Sequence, residues 1–216
     1  MKRLLFRLFL LLVCGISIVL HFKIDDAYFN FTEFSYFTVQ SNIFCFIMMS
    51  VLVIKEWTHK DFSKPVYLFF HGMATSAILS TAYIYHFCES VNKYPLKTQG
   101  IFSIPAMDLF GHYIVPVLFV TDWFLFVPKG QLRRGYIFQW MSFPIFYLLC
   151  FLSRCNFNPE TTFEKVEKYP YFFLDYERLG PLYFCKYIFY ISIIMLTINT
   201  LLYTSDYILS HKKTDR

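Results

Sequence analysis

A stripe of small polar side chains and a separate histidine are the residue types in this sequence that could catalyse acyl transfer. The stripe lies in "FSYFTVQSNIFCF" at spacings of i, i+3, i+4 and i+7, so on a helix its members share one face. Its members are Thr38, Ser41, Asn42 and Cys45. A threonine hydroxyl attacks an ester only when a neighbouring base takes its proton. His112, in "MDLFGHYIVPVLFVTDW", is a candidate for that base.

Several neighbours could support this chemistry. Asp108 lies one helical turn before His112, where its carboxylate could orient the imidazole or raise its basicity. An oxyanion formed at Thr38 needs donors about 3 Å away, and the Asn42 amide and the Ser41 hydroxyl are the nearest candidates. His86 is a rival base, because it lies near the same end of its own apolar segment.

Purely structural explanations remain open for the same residues. Polar side chains often bond between packed membrane helices, for about 0.6 kcal/mol each on average, and the Thr38 stripe fits that role. A neutral His112 could simply bond to a tyrosine or a carbonyl. Pro116 removes a backbone bond to residue 112 and predicts a kink just beyond it.

The elements that must position these residues are membrane helices. Hydrophobic residues make up 56% of the chain and charged residues only 16%, which is too apolar for a soluble domain of 216 residues. Six stretches approach the roughly 20 apolar residues that a membrane helix needs. They are residues 4–22, 34–54, 66–88, 109–128, 136–152 and 182–209. The sequence predicts an all-α fold, a single integral membrane domain of six helices over residues 1–216.

The basic residues predict an orientation. With a cytoplasmic N-terminus, twelve of the 20 Lys and Arg fall in the short inner segments. These are Lys2, Arg3, Arg7, Lys55, Lys60, Lys64, Lys129, Arg133, Arg134, Lys212, Lys213 and Arg216. The positive-inside rule therefore puts both termini in the cytoplasm, and in a bacterium the membrane would be the inner one. The net charge of +5 lies beside anionic lipid heads and needs no nucleic-acid partner.

Two other classes of function remain open. A transporter or channel would line a path with polar groups, and Asp122, Gln139 and Asn199 could continue one. A haem protein would use paired histidines, for which His86 with either His71 or His112 are the candidates. Three cysteines near the outer side could pair, namely Cys88, Cys155 and Cys185.

Three segments together carry a resemblance to a known family. "YFTVQSN", "GHYIVPVLFVTDW" and "YPYFFLDYERLG", in this order, resemble the bacterial six-span membrane proteins related to the animal androgen-induced membrane hydrolases. The animal relatives are intramembrane threonine hydrolases that cleave fatty acid esters of hydroxy fatty acids. The resemblance implies Thr38 as nucleophile, His112 as base and a lipid or fatty-acyl ester as substrate, with no metal or other cofactor.

The third of these segments, before the last apolar stretch, has two interpretations. Its Tyr and Phe residues are typical of an interfacial aromatic belt, which is the interpretation we favour. It could also form a lid over the Thr38 pocket, with Tyr169 and Asp175 as supporting residues and Asp175 as an alternative partner for a histidine. The sequence leaves the oligomeric state open.

Overall fold

Six helices make up most of the described chain. The computed structural model describes residues 1–22, 31–58, 65–90, 104–157 and 169–214. The helices are α1 (Lys2–Phe22), α2 (Phe37–Trp57), α3 (Pro65–Ile84), α4 (Ala106–Phe126), α5 (Ser142–Phe157) and α6 (Tyr176–Thr214). No strand occurs within these residues, so the all-α prediction is confirmed.

Five helices are long and apolar enough to cross a membrane. They are α1, α2, α4, α6, and α5 together with the short helix Tyr136–Gln139 that precedes it. The chain is therefore compatible with a membrane protein of several spans. Helix α3 has 20 residues but falls outside this group, so the sixth span and the orientation of the termini stay predictions.

Helix α3 lies at the centre of the helix packing. It contacts α2, α4, α5 and α6 and buries small or hydroxyl-bearing residues along its length. Small residues allow helix backbones to approach closely in membrane proteins. Gly72 shows how close this approach is, since a Cβ there would clash with the Trp140 indole. The polar residues of α3 therefore face protein.

The helices that reach the site carry local irregularities. A π-helical turn, Tyr85–Ser90, extends α3, and a second, Phe110–Ile114, lies inside α4 directly before Pro116. The kink predicted at Pro116 corresponds to this second widened turn, and such turns are frequent at functional sites. In α6 the backbone breaks at Gly180, whose φ of 70° is in the left-handed region that favours glycine, and Pro181 follows.

An aromatic cluster closes the end of the bundle where α2 begins. It includes Phe37, Tyr147, Tyr171 and Phe173, with Met195 of α6 beneath them. Tyr171 and Phe173 belong to the connector that enters α6, and Phe173 lies in a short 3-10 helix, Phe172–Leu174. All six cysteines lie within the described residues, and no disulfide joins Cys88, Cys155 and Cys185.

Candidate active site

Thr38 and His112 meet across the helix packing. Thr38 lies in the first turn of α2, and His112 lies in the π turn near the start of α4. The Thr38 Oγ1 is 3.1 Å from the His112 Nε2, and both side chains are buried. The proximity predicted from the sequence is observed, while the catalytic roles of the two residues stay predictions.

The hydrogen bonds around His112 define its tautomer. Nδ1 lies 3.2 Å from the backbone carbonyl of Asp108, and a carbonyl oxygen can only accept. Nδ1 therefore carries the hydrogen in the neutral ring, and Nε2 is left as an acceptor. The Thr38 hydroxyl, 3.1 Å away, donates to that nitrogen. This is the arrangement in which an imidazole removes a hydroxyl proton.

Asp108 supports the ring in a second way. Its carboxylate Oδ1 lies 3.6 Å from His112 Nδ1, and the residue is buried. A negative charge at that distance would stabilise the imidazolium that forms when the ring takes a proton. The sequence left open whether Asp108 or a carbonyl holds the ring, and in the structure both contacts come from Asp108.

Tyr85 fixes the other face of the imidazole. Its ring stacks on His112 with centroids 3.7 Å apart and planes inclined by 19°. Tyr85 begins the π turn that extends α3, so the two widened turns of the fold meet at this stack. Sequence reasoning did not identify Tyr85, because stacking depends on the rotation of α3 relative to α4.

Thr38 and His112 line an apolar cavity. Its volume is about 140 Å³, which is below the range of about 300–1,000 Å³ typical of small-molecule sites. Its apolar wall comes from the two last helices, with Pro144, Ile145 and Leu148 on α5 and Ile188, Ile191 and Met195 on α6. Ile145 lines the cavity yet is 52% exposed, so the cavity reaches the outer surface of the helix bundle there.

Tyr171 is a site residue that the sequence analysis missed. Its hydroxyl lies 3.5 Å from the Thr38 Oγ1 and accepts a hydrogen bond from the Thr38 backbone N–H at 3.4 Å. The ring lines the cavity and stacks on Phe173, with centroids 5.0 Å apart. The signal was present in "YPYFFLDYERLG", but an aromatic-rich connector does not show which of its tyrosines turns inward.

Ser41 and Asn42 do not reach the cavity. The Asn42 amide donates to the carbonyls of Thr38 and Gly111, at 2.9 and 3.3 Å, and accepts from Ser17. Both amide hydrogens are therefore used; the Gly111 bond joins α2 to α4, and the Ser17 bond joins α1 to α2. Ser41 is completely buried, and its hydroxyl has no hydrogen-bond partner in the described part of the chain. Neither residue lines the cavity, which leaves them poorly placed to bind an oxyanion.

The rival histidines lie elsewhere. His86 Nδ1 is 3.1 Å from the Tyr113 hydroxyl, and both residues line a separate groove between α3, α4 and α6. His21 bonds through Nδ1 to the Ser17 carbonyl at 2.7 Å. Its ring centroid is 6.4 Å from that of His112, with Gly111 packed against it. The structure thus puts His112, and not His86, beside Thr38.

Asp175 and Tyr169 have structural contacts at the entry to α6. The Asp175 Oδ1 accepts from the Arg178 backbone N–H at 3.0 Å, which is the bond that a helix N-cap makes. Tyr169 packs its ring against Phe151 and Tyr176. Neither residue lines the cavity that contains Thr38, and their assignment as supporting residues stays a prediction.

A second polar cluster occupies the opposite end of the bundle. Arg7 donates to Asp122 through two bonds, of 2.8 and 3.0 Å, and to Glu56 at 2.6 Å. His71 Nε2 lies 2.9 Å from the same Asp122 carboxylate, and Thr75 lies beside His71. We call these five residues the Arg7 network. Sequence analysis treated Arg7 as an interfacial charge, but it is 3% exposed.

Two of the three polar residues that could have continued a transport path, Asp122 and Asn199, form local hydrogen bonds instead. Asp122 belongs to the Arg7 network, and Asn199 bonds to the Ser76 hydroxyl and to the Ile137 carbonyl. Within the described residues, no group of three or more His, Cys, Asp or Glu could hold a metal ion. His71, offered as a haem ligand, faces a carboxylate.

Comparison with known proteins returned no relative. No family model matches the chain, and neither a curated protein nor a solved structure matches it significantly.

Proposed function

We propose that this chain is an intramembrane threonine hydrolase that cleaves a lipid ester. The observation that carries the proposal is the 3.1 Å contact between Thr38 Oγ1 and His112 Nε2, in the tautomer that accepts the hydroxyl proton. The resemblance of the three sequence segments to the androgen-induced hydrolases supports the same assignment. An apolar cavity that reaches the outer surface of the helix bundle supports a substrate that comes from the bilayer.

The reaction proceeds in two halves. Thr38 Oγ1 forms a bond to the ester carbonyl carbon while its proton passes to His112 Nε2, and the carbonyl π electrons move to oxygen. Collapse of this intermediate breaks the bond to the alcohol oxygen, which takes the proton from His112. Water then attacks the acyl-threonine, again giving its proton to His112, and the fatty acid leaves as Thr38 recovers its hydrogen.

Asp108 keeps the imidazole in position during both halves. Its carbonyl holds the Nδ1 hydrogen, and its carboxylate compensates the charge that the ring gains. Tyr85 prevents the ring from tilting away from Thr38 by stacking on it. The cavity wall of α5 and α6 contacts the acyl chain through van der Waals packing, since the surrounding lipid is as apolar as the wall.

The test is labelling by a fluorophosphonate probe, which phosphonylates an activated hydroxyl and does not require the natural substrate. Parent protein in detergent should be labelled, and Thr38→Ala should not. Thr38→Ser should keep part of the labelling, because it retains the hydroxyl and loses only a methyl group.

The chain offers a matched control in Thr75→Ala. Thr75 is also a buried threonine with its Oγ1 3.2 Å from a histidine ring nitrogen, but it belongs to the Arg7 network and not to the cavity. Thr75→Ala should therefore label like the parent. Equal labelling of Thr38→Ala and parent would exclude the hydrolase and favour a non-enzymatic membrane protein, such as a transporter or a structural or signalling component.

A further inference from the structure

The cavity brings a second hydroxyl to the atom that would attack the ester. Tyr171 lies in the connector before α6, is 8% exposed, and has its hydroxyl 3.5 Å from the Thr38 Oγ1. His112 approaches the same oxygen at 3.1 Å. One threonine oxygen therefore has a base and a phenol as neighbours.

The directions of the hydrogens can be assigned around this oxygen. The Thr38 hydroxyl hydrogen points to His112 Nε2, since the Nδ1 hydrogen is held by the Asp108 carbonyl. The Thr38 backbone N–H donates to the Tyr171 oxygen. The Tyr171 hydrogen is then the one that lies between the two oxygens, and Thr38 Oγ1 accepts it. Tyr171 thus enters the reaction as a donor.

We infer that Tyr171 donates the hydrogen bond that stabilises the oxyanion in the proposed hydrolysis at Thr38, an inference that rests on that function. When Thr38 Oγ1 bonds to the carbonyl carbon, Oγ1 and the former carbonyl oxygen are attached to the same carbon atom. A donor that reaches Oγ1 in the resting site then lies within reach of the new oxyanion. No proton leaves Tyr171, which only shifts its hydrogen bond from Oγ1 to the oxyanion.

Three other hydroxyls of the cavity donate to backbone carbonyls. Thr81 donates to the Ala77 carbonyl at 3.0 Å, and Ser192 donates to the Ile188 carbonyl at 2.8 Å. Tyr147 donates to the Ser35 carbonyl at 2.8 Å. The sequence-based candidates, Ser41 and Asn42, do not line the cavity. Tyr171 is the tyrosine whose hydroxyl contacts Thr38.

The experiment compares Tyr171→Phe with Tyr169→Phe. Tyr171→Phe removes one hydroxyl and keeps the ring that stacks on Phe173. Loss of one oxyanion donor costs about 100-fold to 1,000-fold in kcat, so both kcat for a long-chain p-nitrophenyl ester and the rate of fluorophosphonate labelling should fall by about that factor. KM should change little. Tyr169→Phe, two residues away and outside the cavity, should match the parent.

A second variant covers the case in which Tyr171→Phe is poorly folded, as judged by its thermal unfolding midpoint. Tyr171→3,5-difluorotyrosine keeps the shape of the side chain and lowers the pKa of the phenol. The variant should lose activity at alkaline pH, where the parent does not, because an ionised phenol cannot donate. A purely structural tyrosine would leave the pH profile unchanged.

The outcomes separate this inference from the proposed function. Parental rates in folded Tyr171→Phe, with labelling still dependent on Thr38, would overturn the role of Tyr171 alone, as would an unchanged pH profile of the difluorotyrosine variant. Absence of Thr38-dependent labelling and turnover in the parent would overturn both.

Discussion

Two threonines in this protein lie against histidines at nearly the same distance, but their surroundings differ. Thr38 Oγ1 is 3.1 Å from His112 Nε2, and Thr75 Oγ1 is 3.2 Å from His71 Nδ1. The Thr75 hydroxyl donates to the His71 carbonyl at 2.8 Å, so its hydrogen is not offered to the ring. The Thr38 hydroxyl points its hydrogen at a ring nitrogen that can accept it and also faces a cavity.

The two histidines differ in the same sense. His71 points Nε2 at the Asp122 carboxylate. The same carboxylate accepts two hydrogen bonds from Arg7. His112 is held by a carbonyl on one side and offers its other nitrogen to a hydroxyl. A Thr–His contact thus indicates chemistry only where the hydroxyl hydrogen has a base and the oxygen has room for a substrate.

The largest expected effect is on reactivity at the Thr38 site. His112→Ala should lower fluorophosphonate labelling of Thr38 by about 100-fold or more, because a general base contributes about 10² to 10⁴ in rate. The double variant Thr38→Ala with His112→Ala should be no worse than Thr38→Ala alone in ester turnover, since the two residues act as one unit. Additive losses in turnover would contradict the pairing.

Removing a charge from the Arg7 network should have the largest effect on stability. Arg7→Met removes the arginine that pairs with the buried Asp122 carboxylate, whereas Glu56 keeps its ion pair with Arg3, and the loss should be about 3–5 kcal/mol of unfolding free energy. Thr38→Val, which removes a hydroxyl from an apolar-walled cavity, should cost far less. Thermal unfolding in detergent measures both. A larger loss of unfolding free energy in Thr38→Val than in Arg7→Met would contradict the prediction that the Arg7 network contributes more to stability than the Thr38 site.

The sequence identified one of these regions better than the other. Thr38 and His112 could be found because their residue types are unusual in apolar helices and because each lies about one turn from the start of its span. Arg7 was assigned to the interface, since a basic residue near a helix end normally lies there. Its burial depends on which faces of α1 and α4 meet, and periodicity does not specify that pairing.

Other features escaped prediction for related physical reasons. Helix positions follow from apolar length, and all six predicted segments contain a helix in the structure. The π turns require a change of backbone hydrogen bonding that residue types do not encode, although Pro116 pointed to the right place in α4. The sequence analysis named Tyr169 as a supporting residue, but it is Tyr171 that lines the cavity. A connector has no repeat that defines which of its side chains face inward.

A smaller effect should come from filling the cavity without touching its polar end. Ser192 lines the cavity from α6, and its hydroxyl bonds to its own helix. Ser192→Phe should shorten the acyl chain that is hydrolysed best and reduce turnover of long-chain esters by about 10-fold or more, with short-chain esters less affected. Thr197→Phe, on an exposed face of α6, is the matched control. An unchanged chain-length profile in Ser192→Phe would place the acyl chain elsewhere.

The smallest expected effect is a pH dependence near the Arg7 network. Lys129 lies beyond the end of α4, and its partial burial lowers its pKa from 10.5 to about 8. The nearby charges of Asp206 and Asp122 raise the pKa, but by less than burial lowers it. Between these two pH values the unfolded chain keeps a proton that the folded chain has released. This group therefore raises stability as pH increases from about 8 to 10.5, and below about pH 8 its destabilising effect is constant.

The measurement is the thermal unfolding midpoint of the parent and of Lys129→Met across that pH range. The difference between the two proteins should shrink as pH rises, because the cost of burying the ammonium disappears. A constant difference would mean that Lys129 titrates normally. Variants of the Thr38 site should show no such convergence, since the site has no lysine.

The Arg7 network also has a consequence for biogenesis. Arg7 lies in α1, while its partners come from α2 and, 115 residues later, from α4. Chains are made and inserted from the N-terminus, so α1 enters the bilayer long before Asp122 has been synthesised. Glu56 is made with α2 and pairs with Arg7 before α4 is synthesised.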